Sequence, residues 1–304
     1  MPEPRPVPEI PAIEQVALPD VVRDADHRIG VDISRIEVAD WLAPDETFVD
    51  QLREKQRLHA ARAPVFDALP ESAPAQSELL AMLVEHLPCH HPSLYRREGD
   101  ALRVVPLDLL VDIDASPLPP LLRAGWLVQE DLCLLDGDAP HRLLAASLSF
   151  PSRWRLGDKL GRPLVAIHDP VPGFERTLAD PVSRVFARLT PGNLLLRENW
   201  SVLDSPALYQ PTRGNHGAAA AAVELTHRLW VRSERQTLRR LPSTGAIVFT
   251  IGTRQVRLDR HLARPGQRQR LARQLATMSA ETVAYKALGP YREALLALLA
   301  TTDA

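Results

Sequence analysis

Four short stretches of this chain carry residue types that can do chemistry. In AIHDPVPG (166–173) an apolar run delivers His168 directly into a segment stiffened by Pro170 and Pro172. Proline restricts the backbone, so fixing the imidazole there loses less entropy, which suits a metal ligand whose second ring nitrogen is set by a neighbouring acceptor. A histidine that only caps a strand end is the plain alternative. CHHPS brings Cys89, His90 and His91 together. Consecutive side chains point in different directions, so this triplet reads as the C-terminal cap of a helix rather than a ligand set. If WVRSERQ is a strand, Arg232, Glu234 and Gln236 share a face with Trp230, forming either a solvated edge or a polarised pocket wall. In RENW, Arg197 and Asn199 fall on one face and Glu198 and Trp200 on the other.

These residues need elements to position them. Phe48 and Leu52 at helical spacing predict a helix over 45–63, with Asp45 or Thr47 as N-cap and Pro64 as the stop. Leu79, Leu80, Leu83, Val84 and Leu87 predict a second over 75–87, ended by Pro88. The middle of the chain reads as strands at 132–137 and 142–150, paired antiparallel, the latter with one exposed face. A helical turn or two follows in RWRLGDKLG, no regular helix continues past His168, and a helix is expected over 178–189. Further strands are expected at 193–203, 226–238 and 245–258, with a loop and a small alanine-rich turn over 209–223. Two helical segments split by Gly289-Pro290 close the chain over 267–300. Residues 1–44, with prolines at 2, 4, 6, 8, 11, 19 and 44, read as an extended arm over a single body that spans 45–304. Within that body lie a helical part (45–92), a sheet core (about 100–258) and C-terminal helices (266–300), an α+β arrangement.

Composition narrows the function classes. The 304 residues carry a formal net charge of −2, 45% hydrophobic and 24% charged side chains, enough chain to bury a core without disulfide or metal staples. Only Cys89 and Cys133 occur, so no disulfide framework or cysteine-held cluster is expected, and a reducing cytoplasm is the expected compartment. No apolar run is long enough for a membrane helix and no signal peptide is visible. Of 36 basic residues only Lys55, Lys159 and Lys286 are lysines. Interspersed acidic residues and the lack of any sustained basic block argue against nucleic acid as a partner. Phosphate-binding glycine loops, nucleophile elbows, HExxH and CxxCH are all absent.

Three stretches in order, FPSRWRLGDKLGRPLVAIHDPVPG (150–173), LRENWSV (196–202) and VRSERQTLRRLPSTGAIVFTI (231–251), resemble the catalytic-subunit family of haem-dependent oxidative N-demethylases. The resemblance implies a PAS-like antiparallel sheet enclosing a pocket for haem b, with extra terminal helices. It also implies a small amine such as dimethylamine as substrate, O2 as oxidant and formaldehyde as a product. Electrons would come from NADPH through partner subunits carrying flavin mononucleotide and an iron-sulfur cluster, with tetrahydrofolate in the assembly. By the same resemblance His168 is the proximal iron ligand, with His91 in reserve, since a proximal histidine is a common haem ligand. Arg232, Glu234, Asn199 and Glu198 become candidates for the polar distal wall, and Arg239 and Arg240 for the haem propionates. The chain departs from the family at Gly252-Thr253-Arg254-Gln255, where an arginine and a tyrosine usually follow VFTI. A haem-PAS sensor of gas or redox state, and a scaffold that has lost its cofactor, are the other readings.

Overall fold

The computed structural model describes residues 12–114, 116–212 and 222–300. The first part of the proline-rich arm and most of the 209–223 loop lie outside them. Seven strands form one antiparallel sheet in the order β1 (Ile33–Arg35), β8 (Leu194–Leu203), β9 (Trp230–Arg240), β10 (Ile247–Arg257), β6 (Asp131–Leu135), β7 (Leu143–Ser147) and β2 (Phe66–Ala68). A separate three-stranded sheet is built from β3 (Tyr95–Glu98), β4 (Ala101–Val104) and β5 (Leu109–Asp112). With helices on both sides of the large sheet, the architecture is α+β.

Helices α1 (Phe48–Ala60), α2 (Ala73–His90) and α3 (Pro120–Leu127) cover one face. Their apolar stripes, including Leu52, Leu79, Leu83 and Leu121, pack on Leu132, Leu134, Ala145 and Val248 of the sheet. Helix α2 passes through its expected stop. A proline in the last turn removes only one backbone donor, so Pro88 lies inside the helix and His91 becomes the C-cap, its N–H bonded to the Leu87 carbonyl at 2.8 Å. Strands β6 and β7 pair as expected, yet every residue of both is buried. The exposed face predicted for the second is therefore absent, because the opposite face of the sheet is covered too.

That second face carries Cys133, Leu135, Ile247 and Ile251, packed by α4 (Leu164–Ile167) and α5 (Ala179–Arg188), with a π-helical turn at Phe174–Leu178 leading into α5. Short helix α6 (Ala222–Arg228) takes the first residues of the strand expected from 226, and β9 starts only at Trp230. At the C-terminus α7 (Leu258–Leu262) leads into three segments rather than two: α8 (Gln267–Thr277), α9 (Ala280–Tyr285) and α10 (Arg292–Ala300). The additional break is at Ser279, whose hydroxyl accepts the Thr282 N–H at 3.2 Å, an N-cap bond that starts a new helix.

The described part of the arm is tied into this body. Leu18, Val22, Trp41 and Leu42 are buried, and Gln274 donates to the Arg23 and Ala25 carbonyls at 3.1 and 2.7 Å. Arg235 reaches the Trp41 carbonyl at 3.0 Å. Arginine's fixed fork of donors suits this task of holding backbone carbonyls.

Two buried histidines outside the second-face cavity make the fold acid-sensitive. His261 is fully buried with both ring nitrogens unpaired, and burial, with Arg264 nearby, lowers its pKa from 6.5 to about 4. Burial and the neighbouring His90 and Arg239 do the same to His86. The unfolded chain takes up these protons near pH 6.5 and the folded chain only near 4, so stability present above 6.5 is lost as pH falls through that window. Urea midpoints at pH 5 should lie below those at pH 7, with a smaller drop in His261→Leu; equal midpoints in the unsubstituted protein would remove this explanation.

Candidate functional site

The antiparallel register of β8 and β9 places Arg197 opposite Gln236 and Asn199 opposite Glu234. Alternation then sends all four side chains to the second face. Arg197 Nη1 donates to Gln236 Oε1 at 2.6 Å, Gln236 Nε2 donates to Glu234 Oε2 at 2.8 Å, and Asn199 Nδ2 reaches the same oxygen at 3.5 Å. The carboxylate is thereby held by amides and keeps its other oxygen available. Lys286, at the end of α9, donates to the Trp200 carbonyl at 2.6 Å and lies 5.4 Å from the centre of that ring. Burial lowers its pKa to about 8, opposed by Glu234.

Facing this strand pair, His168 caps the C-terminus of α4. Its Nδ1 lies 2.8 Å from the Leu164 carbonyl and its ring stacks on Phe174 at 4.5 Å and 10°. A carbonyl only accepts, so Nδ1 carries the proton and Nε2 presents its lone pair. Burial is the foremost reason that the pKa of His168 falls to about 4, which keeps the ring neutral and able to ligate. Pro170 and Pro172 lie where the sequence expects the chain to leave helix, and Gly173 takes the left-handed φ of 68° that opens the π-helical turn.

His168 and the Glu234 cluster line one cavity of about 880 Å³, within the size range of cofactor sites. Its body is apolar, with Leu135, Leu143, Phe150, Val185, Leu238 and Phe249 in the walls, and residues 21–33 of the arm close one side. No group of three or more metal-binding side chains occurs among the described residues. A single neutral imidazole lining a large cavity with apolar side chains in its walls suits an iron whose other ligands come from a macrocycle, and these residues fit haem.

Residues 32–296 match the family model described as haem-dependent oxidative N-demethylase, alpha subunit-like. The chain belongs to that family. The name of the N-demethylase family describes a haem-dependent oxidoreductase and a subunit that works with others. No described helix is long and apolar enough to cross a membrane.

Among the residues singled out in this N-demethylase family member, His168, Glu234, Asn199 and Glu198 line the cavity, whereas Arg232, Arg239, Arg240 and His91 do not. Arg232 shares the strand face of Glu234, but its buried guanidinium donates to the Leu208 carbonyl at 3.0 Å, to the Phe150 carbonyl and to Thr253 Oγ1 at 3.4 Å. Glu198 is exposed and pairs in register with Arg235. Arg239 points to the opposite face by strand alternation and stacks over Trp41 at 4.5 Å. Arg240 is engaged by four carbonyls, those of Leu189, Gly245, Gly137 and Phe186, at 2.6 to 3.0 Å. Neither arginine therefore lines this cavity. His91 sits at the end of α2 beside His86 and Tyr95, in the layer on the first face. The departing stretch is structural as well: Thr253 is fully buried with its carbonyl accepting from Gln51 at 2.9 Å, and Arg254 pairs with Asp45 at 2.9 Å.

Sequence reasoning missed Lys286, Lys159 and the arm as parts of the cavity. A signal existed for the lysines: three in a chain that otherwise uses arginine are conspicuous, and Lys55, Lys159 and Lys286 all occupy partly or fully buried positions. The arm had none, since contacts such as Gln15 to Gln255 and Arg23 to Gln274 join residues 240 or more positions apart.

Proposed function

We propose that this chain is the catalytic subunit of an oxidative N-demethylase that holds haem b through His168 and acts on a small amine of the dimethylamine type. The observation carrying this reading is that a tautomer-fixed, neutral His168 and the Glu234 carboxylate line the same cavity. The PAS-like reading is supported by the antiparallel sheet, one face of which meets α4, α5 and the arm around the cavity. The overall reaction balances as dimethylamine, O2, two electrons and two protons giving methylamine, formaldehyde and water. Haem, when bound, supplies the oxygen activation. Electrons come from a partner reductase with flavin mononucleotide and an iron-sulfur centre, fed by NADPH, and tetrahydrofolate takes up the one-carbon product.

The residues of the chain divide the remaining work. Phe174 and the Leu164 carbonyl fix the ring of His168, which limits its reorientation. Glu234 accepts a hydrogen bond from the amine N–H, and its two amide neighbours keep the carboxylate from rotating away. Leu238, Phe249 and Ile251 exclude water from the space beside it. Arg232 is a positioning residue: by holding the carbonyls of Phe150 and Leu208 it anchors the segment that precedes the His168 loop.

The oxidised and dithionite-reduced spectra of haem-supplied protein, with and without dimethylamine, test this function, followed by a formaldehyde assay with a surrogate reductase. A Soret band that survives desalting and shifts with amine is expected, and a protein that stays colourless after reconstitution would overturn the reading. A spectrum that answers only to gases would favour the sensor. Glu234→Gln should keep its haem while its apparent affinity for dimethylamine falls by about tenfold or more, the loss of one charge-assisted hydrogen bond; unchanged amine titration would remove Glu234 from the substrate site.

A further inference from the structure

The cavity carries more positive charge than its own carboxylates balance. Eight lysine or arginine and six aspartate or glutamate side chains line it. Three of the six carboxylates have their own cation: Asp32 lies 2.9 Å from Arg28, Asp26 lies 2.9 Å from Arg273 and Asp169 lies 3.6 Å from Arg162. Arg197, Lys159 and Lys286 instead have neutral partners, namely Gln236 at 2.6 Å, the Trp154 ring at 4.2 Å and the Trp200 carbonyl at 2.6 Å. Glu234 is the one carboxylate whose field all three share, with Asp32 adding to it at Arg197 and Asp158 at Lys159, yet among the described residues none of the three cations has a carboxylate as its direct partner.

The donor geometry of Arg197 sharpens this. Nη1 is taken by Gln236, while Nε and Nη2 have no acceptor among the described residues. Those two atoms form one edge of the guanidinium, the edge that receives a carboxylate through two parallel hydrogen bonds. Arg232 Nε, by contrast, is sealed away from any partner, and Arg232 does not line the cavity. Burial disfavours the charge of Arg197, and an anion seated on this edge would relieve that cost.

We propose that Arg197 and Lys286 form a carboxylate-binding site in the cavity wall beside Glu234. The carboxylate comes from one of two sources, a propionate of the haem or the acid group of an N-methylated amino acid whose amine lies against Glu234. The first source rests on the haem reading above. The second deepens the substrate class from simple amines to zwitterionic ones.

Titrating apoprotein with haemin and with its dimethyl ester separates these sources. A propionate at this site gives tighter binding of haemin than of the ester by about tenfold or more, a preference lost in Arg197→Gln. If the unsubstituted protein binds both alike, the holoprotein is titrated with dimethylamine and N,N-dimethylglycine, following the Soret band. A substrate carboxylate then shows as weaker binding of the amino acid alone in Arg197→Gln, with Arg197→Lys intermediate because it keeps the charge and loses the fork. Lys286→Met provides the same comparison if Arg197→Gln does not fold. Preferences that ignore both residues overturn the site. Should the protein take up no haem at all, the proposed function fails, and calorimetry of N,N-dimethylglycine binding to the apoprotein still decides: Arg197-dependent heat retains the site, and its absence rejects it.

Discussion

His168→Ala is expected to fold and to lose its haem on desalting, with the Soret absorbance per protein falling by about tenfold or more. Altering a group that only supports a metal ligand already costs about 10- to 100-fold in affinity, and here the ligand itself goes. The same substitution changes stability little, because the imidazole is half-buried and its one hydrogen bond is to the carbonyl of Leu164, the first residue of the four-residue helix α4. Far-ultraviolet circular dichroism and a thermal melt verify that the fold survives. Free imidazole should restore the band in His168→Gly by entering the vacated space. A His168→Ala protein that retains full haem content would transfer the iron to another donor and remove the central assignment of the site.

Lys55→Met is expected to produce the largest loss of stability, about 3 to 5 kcal/mol, typical of breaking a buried charge pair by removing one member. Lys55 is 2% exposed and donates to the carbonyls of Gly125, Val128 and Glu130 at 3.4, 3.0 and 2.6 Å, with Asp131 Oδ1 at 3.6 Å. It therefore gathers the end of α3 and the start of β6 around one ammonium. Burial pushes the Lys55 pKa down and that of Asp131 up, so each charge is tolerated mainly because the other is present. Asp131 in turn accepts the Ser149 and Phe150 N–H groups at 2.8 Å each, linking the pair to the segment just after β7, whose Phe150 lines the cavity. Chemical denaturation reads the loss directly. Partial recovery in Lys55→Met with Asp131→Asn would confirm that the stranded carboxylate, rather than the missing side-chain volume, is responsible; a single variant within about 1 kcal/mol of the parent would contradict the role of the pair.

Local patterns in the chain were legible where the physics is local. The stripe from Leu79 to Leu87 predicts α2, and the prolines after His168 predict the end of α4, because helical spacing and proline's missing donor act over a few residues. Where the two disagreed, as at Pro88, packing of α2 on the sheet outweighed one lost hydrogen bond. The same alternation that puts Arg232, Glu234 and Gln236 on one face also puts Arg239 on the other, yet alternation alone cannot say where along a face a cavity begins and ends. Arg232 and Glu234 are two residues apart, and one holds backbone carbonyls while the other lines the cavity.

By itself, then, the sequence determined the α+β class, helices α1, α2 and α5, the five strands β6 to β10 of the large sheet, the ordered motifs of the N-demethylase family, and His168 as the residue to test first. Only the tertiary structure decided which polar residues meet. The register of β8 against β9 brings Arg197 to Gln236 and Asn199 to Glu234, the fold of α9 brings Lys286 to Trp200, and the arm closes a cavity built from residues far along the chain. Such contacts join positions tens to hundreds of residues apart, and no short-range periodicity encodes them.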